Sequence, residues 1–127
     1  MILLLDTSTP VCKLWLYGEQ EFAYEWQADR TLARNLLGYL RDRLSEHDAQ
    51  FSDISGIGVF RGPGSFTGLR IGITVLNTLA DGLAAPIVGE TGEQWRETAL
   101  KRLRDGESDR IVLPEYGGEA NITRPRK

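Results

Sequence analysis

Residues 1–27 read MILLLDTSTPVCKLWLYGEQEFAYEWQ, and this stretch decides the fold class. Leu3, Leu4 and Leu5 form a short, uniformly apolar run, as expected of a strand covered on both faces. The run meets Asp6 at once and has no basic segment before it, so it reads as a strand and not as a signal peptide. Residues 11–17 alternate loosely, with Lys13 the single charge, and Gly18, Glu19 and Gln20 supply a turn. Residues 21–27 alternate cleanly: Phe22, Tyr24 and Trp26 point one way, Glu21, Ala23 and Glu25 the other. Three consecutive strands joined by tight turns predict an antiparallel meander.

Working outward, residues 31–47 read as a helix. Leu32, Leu36, Leu40 and Leu44 recur at four-residue spacing with Leu37 alongside, and Asp29 or Thr31 can accept bonds from the unpaired amides at its start. Gly38 in its middle costs on the order of 1 kcal/mol relative to alanine, a cost that close packing against a neighbour would explain. Residues 54–60 are a second apolar run, with Gly56 and Gly58 on alternate positions. Residues 61–68, RGPGSFTG, lead from it into a second helix over 67–83, stopped by Ala85 and Pro86. Ile87 and Val88 make a short strand, residues 93–104 a polar helix, residues 110–113 a last strand and residues 114–127 a tail. The order β-β-β-α-β-α-β-α-β describes an α/β lobe over residues 1–113, a mixed sheet with helices packed on it and a ribonuclease H-like outline. Such an outline hosts many activities, so function has to be argued from sites.

Composition narrows the classes. The chain has 127 residues, 41% hydrophobic and 26% charged, too apolar for disorder and without a continuous run long enough to span a membrane. A net charge of −3 speaks against a stand-alone nucleic-acid binder, which carries a basic excess. Cys12 is the single cysteine and His47 the single histidine, which excludes an internal disulfide and leaves no cluster for structural zinc. A reduced, cytoplasmic chain without a resident metal is the expectation.

Two segments can carry chemistry. Asp6-Thr7-Ser8-Thr9-Pro10 ends the first strand, and a carboxylate there followed by hydroxyls can hold a magnesium-bound phosphate. The same residues can equally satisfy the backbone amides of the turn. Gly62-Pro63-Gly64-Ser65-Phe66-Thr67-Gly68-Leu69-Arg70 joins a strand to a helix, the layout in which amides and a helix dipole cradle an anion. It lacks the Lys-Ser/Thr pair of a Walker A loop, and its third glycine falls one place late for G-x-G-x-x-G. A tight turn whose glycines allow positive φ and close backbone approach needs the same pattern. The candidate phosphate contacts are Asp6, Thr7, Ser8, Gly62, Gly64, Ser65, Thr67 and Arg70.

The second helix carries one stripe of Leu69, Ile73, Leu76, Ala80 and Leu83 and an opposite one of Ile71, Val75, Leu79 and Gly82. A helix apolar nearly all round is buried nearly all round, so a docking protein or the third helix must cover its outer side. His47, at a polar helix end, is expected to be solvated and Cys12 to be an inert core thiol. Lys101-Arg102-Leu103-Arg104 and residues 124–127 read as solvated basic clusters, with RNA contact in an assembly as the alternative.

The opening ILLLDTST (residues 2–9) and GPGSFTGLRIG (residues 62–72) together resemble the TsaB (YeaZ) family, over residues 1 to about 89. Leu113-Pro114-Glu115-Tyr116 is similar to that family's closing segment. The resemblance implies one lobe of the actin-like ATPase (ASKHA) fold, in a form lacking most of a second lobe. It implies a non-catalytic scaffold in the machinery that makes threonylcarbamoyladenosine at position 37 of ANN-decoding tRNAs. The partners implied are the catalytic subunit TsaD and the ATPase TsaE, with a homodimer as a further state. Transfer RNA is met only through the complex, and ATP with magnesium is used by the assembly, with none bound by the chain alone. The pairing surface implied is the first two helices: Leu32, Leu36, Leu37 and Leu40 on one, Leu69, Ile73, Leu76 and Ala80 on the other. Ser8 stands where nucleotide-binding relatives of the fold have glycine. The alternative is a small ATPase or phosphotransferase using Asp6 and the 62–68 loop, or a homodimeric interaction protein.

Overall fold

The computed structural model describes residues 1–115. Its strands are β1 (Ile2–Asp6), β2 (Val11–Tyr17), β3 (Glu21–Gln27), β4 (Gly56–Phe60) and β5 (Ile87–Glu90), in the spatial order β3-β2-β1-β4-β5. β1, β2 and β3 pair antiparallel as a meander, while β4 runs parallel to β1 and β5 parallel to β4. The helices are α1 (Leu32–Ser45), α2 (Phe66–Leu83) and α3 (Trp95–Arg104). None is long and apolar enough to cross a membrane.

The register explains the apolar run of β1. Leu3 faces Leu16 and Leu5 faces Leu14 across the ladder, and all four join the core under Leu36, Leu40 and Leu44 of α1 and Leu69, Ile73 and Leu76 of α2. Leu4 points to the other face, where it meets Val88 and the α3 residues Trp95, Ala99 and Leu103. Each of these buried leucines contributes on the order of 2 kcal/mol, so both faces of β1 hold the fold together. Gly58 makes the second face possible: a Cβ there would strike the Leu4 side chain and crowd Ala99 of α3. Phe22, Tyr24 and Trp26 pack on the α1 side of β3, with Trp26 stacked on Tyr39 at 4.6 Å, while Glu21, Ala23 and Glu25 are exposed. The clean alternation of β3 is thus that of an edge strand covered on one face.

Three expectations need correction. Residues 110–113 form no strand. Asp109 donates its amide to Ile87, Arg110 turns the chain with φ +69°, and the backbone of Val112 exchanges two bonds with the Asn77 side chain at 2.9 and 3.0 Å. A side chain of α2 takes the place of a sixth strand. Second, α1 begins after a 3-10 turn at Asp29–Thr31, and the Thr31 hydroxyl donates to Ala28 O at 2.6 Å instead of capping the helix. Third, close packing does not explain Gly38, because a Cβ there would meet only Arg41 Nη2, at 3.6 Å. The greater part of the 114–127 tail, Tyr116 and the 124–127 cluster included, lies outside the described residues.

Candidate functional site

The turn after β1 and the start of α2 are locked together. Asp6 Oδ1 accepts from the Ser8 amide at 2.8 Å and from the Ser8 hydroxyl at 2.6 Å, the arrangement of an Asx turn. The Thr7 side chain is fully buried and its hydroxyl donates to Gly68 O at 2.7 Å. The Ser65 amide donates to Ser8 O at 2.8 Å, and Ser65 Oγ caps α2 by accepting from the Gly68 amide. A Cβ on Gly64 would strike Ser8, one on Gly68 the Thr7 carbonyl, and one on Gly72 the Thr7 side chain. Glycine at every fourth position here lets a helix lie directly on a turn.

The structure therefore brings Asp6, Thr7, Ser8, Gly64 and Ser65 into one place, where Ser8 bonds Asp6 and Ser65, Thr7 bonds Gly68, and Gly64 lies against Ser8. Gly62, at φ +118°, abuts the carbonyl of Glu115 instead. Thr67 and Arg70 are exposed on the outer side of α2, with the Arg70 guanidinium 5.3 Å from the Phe66 ring centroid. This geometry fits the reading in which the turn satisfies its own amides. Among the described residues no cluster of His, Cys, Asp or Glu is placed to hold a metal ion.

The helix faces require a correction. Leu32, Leu36, Leu40, Leu69, Ile73, Leu76 and Ala80 are all in the core, none more than 5% exposed, so none is available to a partner of the folded chain. Leu37 alone of the expected interface set is on the surface, at 49% exposure. The stripe richest in leucine faces the sheet, where its burial removes apolar area from water. The other stripe remains outside: half-buried Ile71 and Val75, with Thr67, Arg70, Thr74 and Ala33 of α1, line a groove of about 330 Å³. A cleft of about 740 Å³ opens beside it, bordered by Pro10, Cys12, Arg30 and Ile71 among others. The third helix does not cover this groove, since α3 packs on the opposite face of the sheet.

Two further clusters escaped the sequence reading. Arg102 is gripped by carboxylates, with Nη2 2.6 Å from Asp109, Nη1 2.9 Å from Glu90 and Nε 2.7 Å from Glu107. Asp109 also accepts from the Gly89 amide at 2.9 Å. Hydrogen bonding to Arg102 holds the Asp109 carboxyl below its ordinary range, and the carboxylates in turn raise the already high pKa of the guanidinium. Arg102 is thus a staple between α3, β5 and the segment that follows α3. Acidic residues at positions 90, 107 and 109 were the only signal, and spacing alone does not show that they converge. His47 is not simply solvated: it stacks on Phe22 at 3.9 Å, and its Nε2 lies 2.6 Å from the Tyr24 hydroxyl. Cys12 behaves as expected, its thiol pushed up to about 12 by burial first and by Asp6 second.

A meander that turns into a parallel β4–β5 pair, with two helices on one face and one on the other, defines a lobe of the actin-like, ribonuclease H-like class. Residues 26–91, just over half of the chain, match the family described as TsaD, tRNA N6-adenosine threonylcarbamoyltransferase, and the chain belongs to this family as one of its TsaB (YeaZ) members. It is 37% identical over 131 residues to the tRNA threonylcarbamoyladenosine biosynthesis protein TsaB of Escherichia coli (strain K12), covering 94% of this chain and 56% of that protein. YeaZ from Pseudomonas aeruginosa superposes with a TM-score of 0.66 at 34% identity, over 76% of this chain and 49% of that one. Another Pseudomonas aeruginosa structure, of an uncharacterized protein with similarity to peptidase YeaZ, gives a TM-score of 0.67 at 37% identity, over 71% and 42%. The chain spans about half the length of these relatives.

Proposed function

We propose that this chain is a docking subunit in tRNA threonylcarbamoyladenosine biosynthesis, seating the catalytic threonylcarbamoyltransferase subunit, TsaD, on the outer face of α1 and α2. The observation that carries this reading is the unfilled groove of Ala33, Ile71 and Val75, an apolar strip left over after the opposite stripe of α2 has filled the core. The naming of its relatives for this biosynthesis supports the reading. The self-satisfied turn of Asp6, Thr7 and Ser8 supports a non-catalytic role, in which ATP and magnesium are handled by the assembly and its ATPase TsaE. Transfer RNA is then reached through the complex, in the cytoplasm. A homodimer would use the same face and compete with TsaD.

The test is co-elution with TsaD from the same organism on size exclusion. Ile71→Glu and Val75→Glu place a charge on the groove floor and abolish the complex; because both side chains are half-buried against the core, thermal melting of each variant is read alongside. Leu76→Glu, by contrast, puts a charge into the core and unfolds the chain, because Leu76 is fully buried. Co-elution unchanged by either groove variant would overturn the docking role.

A further inference from the structure

Three exposed arginines lie in or beside the groove without an ion pair. Arg30 borders the adjoining cleft, Arg70 lines the groove itself, and Arg34 is exposed one residue from Ala33 on the first turn of α1. Among the described residues none of the three is in a salt bridge, nor are Lys13, Arg104 and Arg110 elsewhere on the fold, whereas Arg41, Arg43, Arg61, Arg96 and Arg102 each have a carboxylate. The nearest acid in sequence, Asp29, accepts from the Gln27 side chain at 2.9 Å. A chain of net charge −3 therefore presents positive charge without an ion pair beside this apolar groove.

Building on the docking role above, we propose that the partner surface is an apolar ridge flanked by carboxylates, with Arg30, Arg34 and Arg70 selecting and steering it. An apolar floor with a charged rim is the anatomy of a protein interface, the floor giving affinity and the rim giving register and on-rate. Nucleic acid fits less well, since its backbone offers nothing to bury against Ile71 and Val75. A second copy of this chain, which would use the same face, is the rival occupant: Asp42 and Glu46 are already paired with Arg41 and Arg43, but exposed Asp48 and Asp81 are in no salt bridge, and the sedimentation arm of the test separates the two.

The experiment measures affinity for TsaD of the same organism by calorimetry, for the wild type, the triple variant Arg30→Glu/Arg34→Glu/Arg70→Glu, the triple lysine variant and Ile71→Glu. All substituted arginines are exposed, and unchanged thermal melting verifies that each variant is folded. The expected result is at least a tenfold loss of affinity on charge reversal, near-retention with lysine, and a wild-type affinity that falls as salt rises from about 50 to about 500 mM. If Ile71→Glu abolishes binding while charge reversal leaves it unchanged, the charge proposal falls and the docking role stands. If neither change matters, both fall. Binding of a tRNA transcript by the chain alone that depends on the arginines, or an arginine-dependent dimer in sedimentation, would overturn the proposal in favour of RNA or of a second copy.

Discussion

The hydroxyl of Thr7 donates to the carbonyl of Gly68 at 2.7 Å, tying the turn after β1 to the first turn of α2 across 61 positions of sequence. The missing side chain of Gly72 leaves the room that the Thr7 side chain occupies. Thr7→Val should cost about 1–2 kcal/mol in urea unfolding, the worth of a buried hydrogen bond. Gly72→Ala should cost more, upwards of about 2 kcal/mol, because both the threonine and the helix backbone resist displacement. The two sites touch, so the cost of Gly72→Ala should shrink in a Thr7→Ala background; additive costs would contradict the packing account.

Gly38 and Gly82 are the opposite kind of glycine. A Cβ meets nothing within 4 Å at Gly82 and only the end of a flexible arginine at Gly38. Gly38→Ala and Gly82→Ala should each stabilise the chain by about 0.5–1 kcal/mol, by relieving the entropic cost of glycine within a helix. Thermal melting checks this, and a lowered melting temperature for either would refute it.

Cys12 is 1% exposed and its thiol is pushed up to about 12. A thiol-labelling reagent at pH 8 should leave it unmodified in the folded chain and react promptly once urea unfolds it. The folded pKa is raised, so the neutral thiol is the stable native form and its contribution is complete below the ordinary value of 9.0. As pH rises from 9.0 towards about 12, the unfolded state loses its proton first, and stability should decline in alkali. In Cys12→Ala that alkaline decline should be weaker.

Asp109 has the reverse sign. Its folded pKa lies below the ordinary 3.8 because Arg102 bonds the carboxylate, so its contribution is present above 3.8 and is lost as pH falls through the folded value. At pH 6 the variant Asp109→Asn should be less stable than wild type by about 1–2 kcal/mol, a charged hydrogen bond discounted for partial exposure. The gap should close in acid, below 3.8. Paired melting curves at neutral and acid pH read it directly, and a gap independent of pH would remove Arg102 as its cause.

The meander, both central helices and the strand-to-helix crossovers were legible because each rests on a local period. Two-residue alternation in residues 21–27 and the leucine spacing of α1 show directly which residues share a face. The last strand was misread for the same reason: Ile111, Val112 and Leu113 have the composition of a strand, but the backbone of Val112 is bonded to the side chain of Asn77, 35 positions away. Composition cannot reveal a bond to a remote side chain.

For α2 the sequence by itself determined that two apolar stripes exist, since helical spacing is a property of the chain. Only the tertiary structure decided which stripe faces the sheet, because that choice depends on where the β1–β2 turn lies. Thr7 sits against Gly68 and Gly72, which fixes the helix rotation, sends Leu69, Ile73 and Leu76 inward and leaves Ile71 and Val75 half-buried along the groove. At the same joint the hydroxyls of Thr7 and Ser8 are bonded within the fold: sequence shows which hydroxyls and amides a turn contains, but only proximity in space shows what they bond.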